Sequence, residues 1–236
     1  MSALDDPKGV KEEYASERRL EARASIYQWS EGPDPLAILQ EAVAEVEPAR
    51  CLDVGCGRGQ FAEWMRDALG AEVVAVDQSQ RMVDLTRARG IEALVGDVRA
   101  LPFPDGAFDC VLAAWMLFHV KEVDEALAEI ARVLRPGGRL VAVTNGTTHM
   151  QEIRELLGVP RPSWSFSAEN GRELLQRRFA RVEARDASGI VRFPDRDAAQ
   201  AYVEASIQLA GWGGVLPDLE GELIVTRAPC VFVAET

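Results

Sequence analysis

The sequence predicts an α/β fold, a mostly parallel sheet with helices on both faces. Three observations predict it. Between residues 50 and 145, short apolar strands alternate with helical segments, the spacing of βαβ units. The strands are almost continuously apolar, as strands covered on both faces are. The first strand runs straight into "GCGRG", whose three glycines, Gly55, Gly57 and Gly59, open a helix.

The elements follow in order. A charged helix is expected over 11–29, and "EGPDP" breaks it at 31–35. Asp34 can cap a second helix with Pro35 at its first position, running to about 46. Strands are expected at 50–55, 72–77, 91–97, 108–116 and 139–145, with helices at 60–69, 79–89 and 122–134 between them. The pattern then changes. Ser167 can start a helix over 167–179, and "RVEARD" at 181–186 alternates like a solvated edge strand. Residues 187–221 carry a helix near 195–209 and a "GWGG" turn. The chain ends in two short strands about a proline, the last suited to antiparallel pairing.

The 236 residues suit one large α/β domain or a domain plus a small insert. No apolar run nears the roughly 20 residues that span a bilayer, and the polar start is no signal or transit peptide. A cytoplasmic protein with no membrane partner is the expectation. The net charge of -12 argues against a nucleic-acid partner, which would call for a basic face. Cys51, Cys56, Cys110 and Cys230 form no CxxC pair, so free buried thiols are expected and no metal site.

The glycines imply a ligand that approaches the backbone at a helix N-terminus. G-x-G-x-G is not the G-x-G-x-x-G of dinucleotide folds, and the Lys-Ser/Thr of a P-loop is absent. Asp53, inside the strand ahead of the glycines, would repel a pyrophosphate and attract an ammonium. Asp77, 18 residues past Gly59, ends the second strand where a carboxylate can accept from a ribose diol. Asp97 ends the third strand, where it could accept from an adenine amine.

With these residues in place, "LDVGCGRGQF", "VDQS", "GDVRALPFPDGAFDCVLAAWMLFHV" and "EIARVLRPGGRLVAVT" resemble the class I S-adenosylmethionine-dependent methyltransferases over roughly 50–145. The flanking "Y…RLEAR" and "TNGTTHMQEIREL" resemble a bacterial subgroup with small-molecule acceptors. The resemblance implies a Rossmann-like three-layer αβα sandwich with seven strands in the order 3-2-1-4-5-7-6, strand seven antiparallel. It implies a helical lid over 1–46 and a methyltransferase domain over 47–236, with acceptor-site inserts at 146–168 and 187–221. It implies S-adenosylmethionine as cofactor and S-adenosylhomocysteine as product. Gly55, Gly57 and Gly59 would pass under the methionine part, and Asp53 would face its ammonium. Asp77 would hold the ribose, with Gln78 and Met82 flanking sugar and adenine. Asp97 and Val98 would meet the adenine, and the Ala113 carbonyl the ammonium. Tyr14 and Arg23 would close the site from the N-terminal helix, Arg23 on the methionine carboxylate.

The acceptor reading draws on other residues. Trp115 is bulky where the subgroup often has a polar residue, and it can stack on a flat or cationic acceptor. His119, after the fourth strand, is the candidate catalytic base, and His149 a further candidate for substrate contact. Trp164, Phe166, Tyr202 and Trp212 suit a planar, largely apolar acceptor. No Asn-Pro-Pro-Tyr-type sequence follows the fourth strand, which weakens methylation of base or glutamine amino groups. The leading expectation is methyl transfer to a small organic acceptor by a monomer or homodimer. The alternatives are a cofactor-binding module without catalysis, and an RNA or protein methyltransferase.

Overall fold

The computed structural model describes residues 28–206, 209 and 214–236. The expected helix over 11–29 lies outside these residues but for its last two, which form a 3₁₀ turn. Ser30–Glu31 then form a short strand, β1. The helix α1, Pro35–Ala44, starts as expected, with the Asp34 side chain accepting from Leu36 N–H.

The strands β2 (Arg50–Val54), β3 (Glu72–Asp77), β4 (Glu92–Val95), β5 (Phe108–Ala114) and β6 (Leu134–Asn145) are parallel neighbours. Between them run α2 (Gln60–Leu69), α3 (Gln80–Ala88) and α4 (Val123–Val133). Later come α5 (Gln151–Leu156), α6 (Gly171–Gln176), β7 (Arg181–Asp186), β8 (Gly189–Phe193), α7 (Arg196–Ala205), β9 (Leu223–Arg227) and β10 (Pro229–Glu235). The large sheet has the order β4-β3-β2-β5-β6-β10-β7, with β10 antiparallel to both neighbours. This is the expected 3-2-1-4-5-7-6.

Side-chain alternation divides the core into two layers. Leu52, Val54, Val111 and Ala113 face α4 and α6, where Leu127, Ile130 and Leu175 are fully buried. Cys51, Val73, Cys110 and Leu112 face α1, α2 and α3, meeting Leu39, Met65 and Val83. Each such Leu or Ile contributes about 1.5–3 kcal/mol through its burial. Asp53 shares the strand face of Cys51 and therefore lies under α2. All four cysteines are free and buried.

A second, three-stranded sheet, β1-β8-β9, is antiparallel. With α5 and α7 it encloses its own core of Ile153, Val191, Phe193, Tyr202, Val203 and Val225. The chain ends, as expected, in two short strands about a proline. The two C-terminal strands belong to different sheets, and the chain turns from one to the other at Ala228. The helix expected over 167–179 is shorter, because Asn170 Oδ1 takes the Ser167 N–H and holds 168–170 in a turn. Helix α5 was not anticipated. Backbone bonds from Gly146 N to Ala228 O (2.6 Å) and Met150 N to Thr226 O (2.8 Å) join the small sheet to the large one. No helix among the described residues is long and apolar enough to cross a membrane.

Candidate functional site

The site lies at the carboxyl edge of the parallel strands, where an open α/β sheet leaves its crevice. After β2 the chain turns through Gly55 (φ +67°), Gly57 (+54°) and Gly59 (+74°). All three are in the left-handed region, which side chains disfavour. Their surroundings differ. A Cβ on Gly55 would lie 2.7 Å from Met116 Cβ, and one on Gly59 2.7 Å from the Thr86 side chain. At Gly57 no described residue lies within 4 Å. Protein packing therefore accounts for two of the glycines, and only Gly57 faces open space. Gly59 is the N-cap of α2 and offers no side-chain hydrogen bond to the first N–H groups of the helix.

Asp77, at the end of β3, braces this turn. Its Oδ2 accepts from Gly57 N (3.0 Å) and its Oδ1 from Ser79 N (2.8 Å). Each oxygen keeps a lone pair for a further donor. Burial pushes its carboxyl above the usual range, opposed by those two N–H groups.

Asp53 is 1% exposed. It accepts from the Ala62 backbone of α2, while its Oδ2 is buried with no hydrogen-bond partner. Burial, with the negative charge of Asp77 nearby, pushes its carboxyl up to about 8. A buried acceptor left this way is costly unless something supplies a donor.

The other expected cofactor residues are spread along the same edge. Gln78 is exposed and Asp97 is exposed. Arg99 grips Asp97 through Nη2 at 2.7 Å and Nε at 3.1 Å, and holds its carboxyl below the usual range. Val98 and Ala113 are core residues, so only their backbone could meet a ligand. Met82 is 1% exposed, so its side chain packs within the protein rather than lining the crevice surface. Tyr14, Arg23 and Trp212 lie outside the described residues.

Trp115 follows β5 in the left-handed region, φ +52°, which is unusual for a bulky residue. Its backbone N–H donates to Val143 O (2.8 Å) and its indole N–H to Asn145 Oδ1 (3.3 Å). Its ring stacks on Phe61, from the first turn of α2, at 6.3 Å and 25°. His119 lies in the 3₁₀ turn Leu117–His119, its ring against Phe118 at 4.3 Å. Trp164 packs on the same Phe118 at 5.7 Å.

Three acceptor candidates need correction. Phe166 is fully buried in the main core, edge-on to Phe232, and so cannot line a pocket. Tyr202 belongs to the core of the small sheet, beside Phe193. Its aromatic character reflects packing there. His149 accepts from Ala228 N–H through Nδ1 (3.2 Å). Burial, then the charges of Arg154 and Arg227, push its imidazole down to about 3. It is neutral near pH 7 and ties the two sheets together.

Sequence reading missed Met116 and Thr86, which fill the space beside the glycines, and Phe61 and Asn145, which hold Trp115. Phe61 was in view, next to the glycine turn. Nothing in the sequence links Asn145 to Trp115.

Residues 52–142 match the family described as "Methyltransferase domain". The chain is 44% identical over 106 residues to demethylmenaquinone methyltransferase of Thermus thermophilus, covering 42% of this chain and 48% of that protein. It thus spans about half the length of that curated relative. Among solved structures it is similar to a Thermotoga maritima S-adenosylmethionine-dependent methyltransferase described as a possible histamine N-methyltransferase. That match has a TM-score of 0.59 and 21% identity, over 92% of this chain and 94% of the other. It is also similar to the [4+2]-cyclase SpnF, with a TM-score of 0.63 and 21% identity, over 97% and 95%. Sheet order and glycine turn agree with that domain match: over residues 52–142 the chain is similar to the methyltransferase-domain family, and its fold is the one these solved structures share.

Proposed function

We propose that the chain transfers a methyl group from S-adenosylmethionine to a small organic acceptor with a planar or aromatic ring. The observation that carries the reading is the Asp53 oxygen, buried without a hydrogen-bond partner beside the open Gly57 backbone. An ammonium group would supply its missing donor and its counter-charge. Asp77 has lone pairs left for two vicinal hydroxyls. The donor set therefore fits an amino-acid end and a ribose.

In this reading Asp53 and the Ala113 carbonyl hold the ammonium, and the N-terminus of α2 faces the methionine part. Asp77 holds the ribose, with Gln78 beside it. Asp97 and Val98 take the adenine, and Tyr14 and Arg23 close the site. When bound, S-adenosylmethionine supplies an electrophilic methyl on a sulfonium, already a good leaving group. The chain then has to align the acceptor and exclude water. Orientation of this kind can contribute about 7–11 kcal/mol. Trp115, Trp164 and Trp212 line the acceptor side, and His119 takes the proton of an acceptor that must lose one. The protein acts in the cytoplasm as a monomer or homodimer, and the net charge of -12 favours a small acceptor over RNA.

The likeness to a cyclase supports a second reading, a cofactor-binding chain with other chemistry. Incubation with labelled S-adenosylmethionine and a panel of hydroxylated and aminated aromatic compounds separates the two. Methyl transfer to a flat acceptor, lost in Asp53→Asn, is the expected result. Cofactor binding with no transfer to any member would favour the second reading.

A further inference from the structure

Trp115 adopts a backbone conformation that a bulky residue reaches only under constraint, and such strain tends to sit at functional positions. Three contacts hold it there. Its N–H is tied to Val143 O, its indole N–H to Asn145 Oδ1, and its ring is stacked on Phe61. The three come from two elements: β6 contributes Val143 and Asn145, and the first turn of α2 contributes Phe61. That turn belongs to the helix that the glycine turn opens, with Gly59 as its N-cap. The neighbouring Met116 packs directly against Gly55. The indole is thus fixed between the glycine turn and the start of the loop that leads into the small sheet, and it is only half-buried.

The hydrogen bond determines what the indole can offer. With its N–H given to Asn145, the ring has no polar handle left for a ligand, because an indole is a donor only. What it has to present is its flat apolar ring, held in orientation by the stacked Phe61. A neutral flat ring suits such a wall, since offset stacking is favourable beyond the area it buries.

We propose that Asn145 is a positioning residue that sets acceptor specificity through Trp115, fixing the indole as one wall of a slot for a neutral, flat aromatic ring. The inference rests on the methyl-transfer reading for the position of the slot beside the cofactor. Asn145 itself touches neither ligand. Asn145→Asp keeps an oxygen acceptor in the same place and should keep the wall, whereas Asn145→Ala frees the indole to turn.

The test is calorimetric titration with 2-naphthol as probe, on the full chain saturated with S-adenosylhomocysteine. Wild type and Asn145→Asp are expected to bind it, and Asn145→Ala to bind it roughly tenfold more weakly. In a Trp115→Phe background, the Asn145→Ala change should have almost no further effect, since the coupling runs through the indole N–H. Equal 2-naphthol binding by wild type and Asn145→Ala would overturn the inference. So would additive losses in the double variant, or tetramethylammonium binding in place of 2-naphthol. Failure of S-adenosylhomocysteine to bind wild type would instead sink the cofactor reading beneath it, and that titration is run first.

Discussion

Asp53 is the residue where stability and function oppose each other. Its carboxyl is raised to about 8 in the fold, against about 3.9 in an unfolded chain. Between these values the folded state holds a proton that the unfolded state has lost, so folding becomes less favourable as pH rises. Above about 8 the loss is complete. Asp53→Asn carries no such penalty. The variant should therefore gain stability relative to wild type from about pH 4 to about pH 8, by up to about 1 kcal/mol per pH unit, then level off. Urea unfolding of both proteins across that range measures it. A constant difference would mean that Asp53 is not desolvated as described. His149 has the opposite sense. Its depressed imidazole means that the unfolded state binds the extra proton between about pH 6.5 and about pH 3, so stability falls with acid over that window. His149→Gln can still accept from Ala228 N–H and should soften that acid limb. An acid limb identical to wild type would contradict the buried neutral imidazole.

At the scale of elements, the turn from β2 into α2 makes a distinction that the sequence does not. "GCGRG" says that side chains are excluded, not by what. Alanine at Gly59 meets both a left-handed backbone and the Thr86 side chain, which is part of the core and donates to Gly57 O at 3.1 Å. Alanine at Gly57 meets only the backbone penalty, roughly 1–2 kcal/mol. Gly59→Ala should thus lower the thermal midpoint further than Gly57→Ala, while Gly57→Ala should lose S-adenosylhomocysteine affinity out of proportion to its stability. Thermal melts beside calorimetry on the two variants decide this; equal stability losses would mean that Thr86 yields freely. The pairing of Trp115 with Asn145 belongs to the same scale. It depends on how the ends of β5 and β6 are aligned, with Ala114 opposite Val143. Residues 30 apart give no local sign of that alignment.

For the whole molecule, the parallel strands, the antiparallel last strand and the acids at three strand ends were legible because they rest on periodicity and spacing, whereas the strand order followed from the family resemblance. The same reading placed Phe166 and Tyr202 in an acceptor site. An aromatic residue has the same character in a pocket and in a core, and only packing separates them. The small sheet was illegible for another reason. Its strands β1, β8 and β9 come from distant parts of the chain, and β9 runs almost without a break into β10 of the other sheet. The corner at Ala228, held by Gly146 and His149, is a tertiary contact and leaves no local pattern.

The measurement that bears most directly on the cofactor claim is calorimetric titration of S-adenosylhomocysteine at pH 7, in two buffers of different ionisation heat. The buffer dependence counts protons released. Asp53 is mostly protonated at that pH and must ionise to meet an ammonium. Wild type should bind with a dissociation constant in about the micromolar range and release most of one proton. Asp53→Asn should bind far more weakly with no release. Absence of binding by wild type, or binding of equal strength and equal proton count in the variant, would contradict the account.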